Sequence, residues 1–154
     1  MDTITKVLEV IKNYPIIVNV PIIIIGWWII NRQNNKRETR KEIRALLNDV
    51  QSMIGEIEAE AILYHTEEYD LARRSQLTFK ARLMSKKIQI VTRALNVDLI
   101  GHINKMRNSI MTKNWDIDDH HALALDDNLI KKIHLESSEL SIQLENNFAY
   151  FYHK

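Results

Sequence analysis

Residues 43–64 read IRALLNDVQSMIGEIEAEAILY, and the spacing of their apolar side chains decides the fold. These side chains alternate at intervals of four and three residues: Ile43, Leu47, Val50, Ile54, Ile57, Ala61 and Tyr64. Such a repeat places one apolar stripe along one side of an α-helix. A stripe of this kind is stable only when it packs against another apolar surface, so the segment predicts a helix with helical partners.

The same repeat recurs in two further stretches of the chain. The second stretch places apolar side chains at Leu77, Ala81, Met84, Ile88, Val91 and Leu95, and after a shift at Leu99, Ile103, Met106 and Ile110. The third places them at Leu123, Ile130, Ile133, Leu140, Leu144 and Phe151. Polar residues occupy the other positions of this third stripe, or seam: Asp126, Ser137 and Asn147. A coiled-coil-like seam is stable only when it packs against another helix. We assign the seams of the first two stretches as the interaction seam. The spacing leaves open whether the seams close within one chain or between chains.

The composition favours an all-α protein. The chain contains no cysteine, which excludes disulfides, thiolate nucleophiles and thiolate metal sites. No proline follows Pro21, and only Gly55 and Gly101 remain as glycines after residue 32, too few for a sheet with tight turns or for a phosphate-binding loop. We predict one domain over residues 32–154, an antiparallel helical hairpin or bundle. Its helices are expected near residues 33–64, 68–111 and 117–151.

The breaks between these helices are predicted from phase and from capping residues. The first two seams are out of phase by one residue, which predicts a turn within residues 64–70, with Thr66 as the cap of the next helix. Residues 96–98, Asn-Val-Asp, indicate either a second turn or a stutter. A third turn precedes the last helix, which Asp116 or Asp118 is expected to cap.

An apolar run precedes this domain. Residues 14–30 read YPIIVNVPIIIIGWWII and contain no charged side chain. As a helix they rise about 25 Å, near the lower limit for crossing a bilayer core. We predict a single transmembrane helix over residues 14–31 after a short amphipathic interfacial segment, residues 1–13; a buried core helix is the alternative. The residues assigned to the membrane anchor are Tyr14, Asn19, Pro21, Trp27 and Trp28.

Basic residues follow the apolar run: Arg32, Lys36, Arg37, Arg40 and Lys41. By the positive-inside rule they place the N-terminus outside and the residues after Arg32 in the cytoplasm. The chain is thus predicted to be a single-pass protein of the plasma (inner) membrane with a cytoplasmic C-terminal domain. The same basic residues are either ligands of anionic lipid headgroups or only a topology signal.

The candidate chemical site begins in residues 115–121, WDIDDHH. Four residues with metal-binding groups recur there and beyond at helical spacing: Asp116, His120, Asp127 and His134. At intervals of four and seven residues, imidazole and carboxylate groups share one face of a helix and can act as metal ligands. The Asp-His-His triplet resembles the signature of a family of metal-dependent phosphoesterases, but that family's other aspartate-bearing segments are absent. The alternative is an acid-rich helix start, and no cofactor is predicted.

Charge is distributed unevenly along the predicted domain. Residues 64–113 carry ten Lys and Arg against four Asp and Glu, whereas residues 114–154 carry eight acids against three lysines. The basic middle helix and the acidic last helix therefore complement each other within one chain. Because no aromatic residues interleave with the basic ones to stack on bases, nucleic-acid binding is not expected.

Together these features favour a membrane-anchored helical interaction or scaffold protein that recruits, clusters or oligomerises partners at the cytoplasmic face of a membrane. The expected partners are membrane lipids and either further copies of the chain or another protein. The alternative is a toxin-like effector that perturbs the bilayer through assembled spans. A metal-dependent enzyme that uses residues 116–121 is the third hypothesis, and the sequence favours a protein that is not an enzyme.

Overall fold

A computed structural model describes the backbone of residues 15–153 and the side chains of residues 20–152. These residues form four α-helices and no β-strand: α1 is Pro15–Thr66, α2 is Leu71–Leu95, α3 is Ile100–Met111 and α4 is Asn128–His153. The all-α prediction is confirmed for this part of the chain. The predicted interfacial segment, residues 1–13, and the anchor residue Tyr14 lie outside the described residues, as does the side chain of Asn19.

The chain divides into two units, Met1–Lys41 and Glu42–Lys154. In the second unit, four ion pairs join α1 to its neighbours: Glu60 to Lys80 and Asp49 to Lys87 on α2, and Glu58 to His134 and Arg44 to Glu145 on α4. On both α2 and α4, the partner with the higher residue number pairs with the α1 residue that has the lower number. α2 and α4 therefore both run antiparallel to α1, and the prediction of a helical bundle is confirmed.

The core of the second unit is built from the predicted seams. Every residue assigned to the interaction seam is buried, with an exposed fraction of 8% or less: Ile43, Leu47, Val50, Ile54, Ile57, Leu77, Met84, Ile88, Val91 and Leu95. α3 and α4 contribute Ile103, Met106, Ile110, Ile133, Leu140 and Leu144 to the same core. The seams therefore close within one chain, and their side chains are not available to a partner while the bundle is folded.

The third seam differs from its prediction at both ends. Leu123 precedes α4 and is half-buried in a loop, while Phe151 is 44% exposed and Phe148 is buried instead. If the regular repeat continued after Leu144, the next buried residue would be Asn147. Burying its side-chain amide in an apolar core would be unfavourable in free energy. The helix instead buries the next residue along, and the Arg44 guanidinium carbon lies 5.2 Å from the centroid of the Phe148 ring.

The turn between α1 and α2 lies where it is predicted but uses a different cap. Asp70 precedes α2, and its carboxylate accepts hydrogen bonds from two backbone N–H groups of the first helical turn. The Thr66 hydroxyl instead donates to the Ile62 carbonyl oxygen inside α1. A carboxylate cap also favours the positive end of the helix dipole, so Asp70 is the stronger of the two candidates.

Two predicted helices are shorter than expected. The helix predicted over residues 68–111 is broken at Asn96, which ends α2 in a left-handed conformation with φ of 53° that asparagine tolerates. The helix predicted over residues 117–151 begins only at the start of α4, where the Asp127 carboxylate accepts from a backbone N–H group of the first turn. The Asp-rich stretch before it forms a loop, because aspartate side chains compete with helix formation through local hydrogen bonds.

The apolar run within α1 does not meet the requirements of a membrane span. Among the residues that the structure describes, no helix is both long and apolar enough to cross a bilayer. The transmembrane helix predicted over residues 14–31 is therefore not supported. The predicted localisation, single-pass in the plasma membrane with the N-terminus outside and a cytoplasmic C-terminal domain, is wrong. The physical reason is length: a span takes about 20 predominantly apolar residues, whereas Asn31 and Arg32 follow this run directly.

Candidate functional site

Residues 20–30 of α1, named here the apolar segment, expose their apolar side chains. Nine large side chains of the segment are 44–67% exposed: Val20, Ile22, Ile23, Ile24, Ile25, Trp27, Trp28, Ile29 and Ile30. Gly26 lies among them, and a Cβ atom placed on it would meet no other atom within 4 Å. The side chains of this segment are therefore not covered by the residues that the structure describes.

The apolar segment has no polar side. Since an α-helix has 3.6 residues per turn, Ile22, Ile25 and Ile29 lie on one side of it, and Val20 and Ile24 lie on the opposite side. A helix that is apolar all round is normally buried. Monomeric proteins rarely expose contiguous apolar patches larger than about 300 to 600 Å². The apolar segment is therefore the candidate interaction surface of this chain.

A basic flank follows the apolar segment. The guanidinium carbon of Arg32 lies 5.5 Å from the centroid of the Trp28 ring, a cation–π contact at the end of the segment. All five predicted lipid-binding residues are exposed on α1: Arg32, Lys36, Arg37, Arg40 and Lys41. Their exposure does not distinguish lipid binding from another role, and the headgroup assignment stays a prediction.

The structure separates the four candidate metal ligands, Asp116, His120, Asp127 and His134. The Asp116 carboxylate pairs with the Arg74 guanidinium, Asp127 caps α4, and His134 pairs with Glu58 of α1. Within the described residues, no group of three or more His, Asp or Glu side chains is placed to hold a metal ion. The prediction relied on helical spacing, and residues 117–127 are not helical.

Sequence reasoning missed a cluster of rings where the end of α1 meets the loop before α4. The Tyr64 ring is fully buried, and its centroid lies 5.1 Å from that of His65, 5.0 Å from that of Trp115 and 4.9 Å from that of His120. Its hydroxyl donates to the Trp115 carbonyl oxygen at 2.6 Å. Burial raises the pKa of Tyr64 to about 12, so this donor keeps its proton at neutral pH.

Asn114 connects the loop to the end of α1. It is 8% exposed and has a left-handed backbone with φ of 52°. Its side-chain oxygen accepts from the His121 N–H at 2.7 Å, and its amide nitrogen donates to the His121 carbonyl at 2.9 Å. The same amide nitrogen lies 3.4 Å from Nδ1 of the buried His65, whose Nε2 lies 2.9 Å from the Ile110 carbonyl oxygen. Because the carbonyl only accepts and the amide nitrogen only donates, these two contacts together favour a neutral His65 ring with its proton on Nε2.

His120 makes two contacts to the backbone from the same loop. Its Nδ1 lies 3.1 Å from the Asn114 carbonyl oxygen, and its Nε2 lies 3.0 Å from the Glu67 carbonyl oxygen. Both ring nitrogens therefore face backbone carbonyl oxygens rather than an open coordination position, and the nitrogen that carries the proton donates to its carbonyl. His120 links the loop before α4 to the turn between α1 and α2.

The ring cluster has the geometry of a structural contact, because its hydroxyl, amide and imidazole groups are already paired within the chain. No family model, curated protein or solved structure matches this chain. Its function must therefore be argued from its own residues. The apolar segment, in contrast, presents nine large apolar side chains that are 44–67% exposed in the described structure.

Acid is expected to destabilise the bundle through His65. Burial lowers the pKa of His65 below its ordinary value of 6.5, and the nearby His120 lowers it further. Between the folded and unfolded pKa values, the unfolded chain binds more protons, so the free energy of unfolding falls as the pH drops below about 6.5. In His65→Gln, whose amide can still donate to the Ile110 carbonyl, we expect a weaker loss of stability on acidification.

Urea denaturation of the wild type and of His65→Gln at pH 7 and at about pH 5 measures this difference. The wild type should lose more stability than the variant between the two pH values, even if the variant is less stable at pH 7. Equal losses would show that the buried imidazole does not contribute to acid sensitivity.

Proposed function

We propose that this chain is a helical interaction protein that recruits or clusters protein partners through the apolar segment. The observation that carries the proposal is the exposure, by 44–67%, of nine large apolar side chains within residues 20–30. Removing apolar surface from water is the dominant favourable contribution to most protein association, about 25 cal/mol for each Å². The second unit, whose seams are buried within the chain, is the folded body that the segment connects to its partners.

The bundle itself offers a poorer binding site. A cleft with a mainly apolar lining lies between α1 and α2, has a volume of about 270 Å³ and is lined by Met53, Ile57, Phe79 and Leu83 among others. Pockets that enclose a drug-sized ligand have volumes of about 300 to 1,000 Å³. The cleft is therefore too small for most ligands of that size, and it does not compete with the apolar segment as the main site.

The two other functions considered from the sequence lack a comparable observation. A metal-dependent enzyme would need the candidate ligands Asp116, His120, Asp127 and His134 to converge, and each of them has a different partner. An effector that perturbs a bilayer would need membrane spans, and no helix of the described chain is suited to cross one. We therefore propose an interaction protein and no enzymatic activity.

Site-specific photo-crosslinking in cells tests the proposal. A photoreactive amino acid replaces either Ile24 of the apolar segment or Leu135 of α4, which are 58% and 65% exposed. We expect discrete protein adducts in high yield from position 24 and at most background labelling from position 135. Adding Ile25→Ser to the position 24 probe should abolish those adducts, because the variant removes part of the apolar surface beside the probe. Equal labelling from positions 24 and 135, or adducts that survive Ile25→Ser, would contradict the proposal.

A further inference from the structure

We propose that the apolar segment binds the same segment of other copies of this chain, with neighbouring helices antiparallel, in an assembly larger than a dimer. The inference rests on the proposed function, because it names the partner that covers the surface assigned there. It is carried by the area of the segment, by the absence of a polar side and by the charges that follow it.

The exposed area is sufficient for a stable interface between copies. Covering a large aliphatic side chain removes on the order of 100 Å² from water, and covering an aromatic one removes about 150 to 250 Å². Seven aliphatic and two aromatic side chains, each about half exposed, therefore offer on the order of 600 Å². Stable protein interfaces bury about 600 to 1,000 Å² per partner, so the segment reaches the lower end of that range. A second copy always brings an equal and chemically matching surface, so no other partner is needed to cover the segment.

The all-round apolar character indicates more than two copies. A single neighbour that covers Ile22, Ile25 and Ile29 leaves Val20 and Ile24 on the opposite side in water. A bundle of several helices covers both sides of each one. Gly26 lies on the same side as Ile22 and Ile29 and adds no side chain there, so neighbouring backbones can approach closely.

The charges after the segment indicate the antiparallel arrangement. Residues 32–41 carry five basic side chains against the single acid Glu38, and all of these residues are exposed. Parallel neighbours would place two such flanks side by side and would bring like charges together. Antiparallel neighbours place the flanks at opposite ends of the segment and avoid this repulsion.

Sedimentation equilibrium of the purified full chain at micromolar concentrations tests the assembly. We expect the wild type to exceed the mass of a dimer. Ile22→Ser with Ile29→Ser, and separately Val20→Ser with Ile24→Ser, should each weaken association by about tenfold or more, since each pair removes one side of the interface. Thermal unfolding followed by circular dichroism should remain close to that of the wild type, because these residues lie outside the core of the second unit.

The matched control replaces exposed leucines outside the segment. Leu71 and Leu125 are 62% and 73% exposed, and the double serine variant at these positions removes a similar amount of apolar surface. We expect its association to equal that of the wild type. A reduction as large as that of the segment variants would show nonspecific aggregation and would overturn the inference.

Single-cysteine variants test the orientation, because the chain has no cysteine of its own. In antiparallel helices centred on residue 25, Ile25→Cys lies opposite itself and should form a disulfide between copies under mild oxidation. The two copies of Ile29→Cys would then lie about 12 Å apart along the axis, beyond disulfide reach, and should not cross-link. Efficient cross-linking of Ile29→Cys would show parallel helices and overturn the orientation.

The failure of this inference can be told apart from the failure of the proposed function. A monomeric wild-type chain whose position 24 photo-probe still gives segment-dependent adducts with a different protein would overturn self-association and leave the interaction function intact. A monomeric chain without such adducts would overturn both. A chain that is monomeric in buffer and sediments with phosphatidylcholine vesicles would assign the segment to lipid and would also overturn both.

Discussion

Tyr64→Ala is expected to lower the free energy of unfolding by about 3 to 5 kcal/mol, the usual cost of removing a large aromatic side chain from a core. The Tyr64 ring is fully buried against the rings of His65, Trp115 and His120, and its hydroxyl is the hydrogen-bond donor to the Trp115 carbonyl. For a chain of this length the loss corresponds to a fall in melting temperature of roughly 10 °C. Thermal unfolding followed by circular dichroism measures it.

Tyr64→Phe separates the contribution of the hydroxyl from that of the ring, and Phe79→Ala is the matched control. Tyr64→Phe keeps the ring but leaves the Trp115 carbonyl without its donor, at an expected cost of about 1 to 2 kcal/mol. Phe79→Ala removes an aromatic ring that is 68% exposed and should change the stability by less than about 1 kcal/mol. Similar melting temperatures for Tyr64→Ala and Phe79→Ala would refute the central packing role of Tyr64.

Asn114→Ala is expected to lower the free energy of unfolding by about 2 to 4 kcal/mol. The variant loses the paired hydrogen bonds to His121 and the amide that faces Nδ1 of His65, all at a buried position. It also places alanine at a left-handed φ of 52°, which costs about 1 kcal/mol more than it costs asparagine. Urea denaturation at neutral pH measures the total.

The backbone and side-chain contributions of Asn114 can be measured separately. Asn114→Gly tolerates the positive φ but lacks the amide, so it should be more stable than Asn114→Ala by about 1 kcal/mol and less stable than the wild type. Asn104→Ala, at an exposed position of α3, should leave stability unchanged or slightly raised, because alanine is the better helix former. If Asn114→Ala matched Asn104→Ala, the loop contact would not contribute to stability.

Long-range contacts explain why the ring cluster could not be predicted. The sequence places Tyr64 only as the last member of an apolar stripe, and Asn114 only in the region before the last predicted helix. The hydrogen bond from Tyr64 to Trp115 joins residues 51 positions apart, and that between His65 and Ile110 joins residues 45 apart. No periodic pattern marks either pair. The sequence shows only that His65 directly follows the seam residue Tyr64, and that His65 is buried is visible only in the folded structure.

The ion pairs of the bundle also could not be predicted from the sequence pattern alone. Residues 64–113 are mainly basic and residues 114–154 mainly acidic, and these complementary totals predict that the two regions pair. In the structure such a pair forms between Arg74 of α2 and Asp116, whereas Lys80 and Lys87 pair with Glu60 and Asp49 of α1. Net charge describes a whole region, whereas an ion pair depends on which helix face meets which neighbour, and packing of the seams decides that first.

The sequence by itself determined the helical class, the absence of cysteine chemistry and the identity of nearly every core residue from Ile43 to Leu144. It could do so because the 3.6-residue period of a helix is local, and a buried stripe must repeat with that period. Only the tertiary structure decided that the seams close within one chain, that residues 117–127 form a loop and that the candidate metal ligands stay apart. Each of these outcomes depends on competition between distant partners for the same side chains, which a local pattern does not contain.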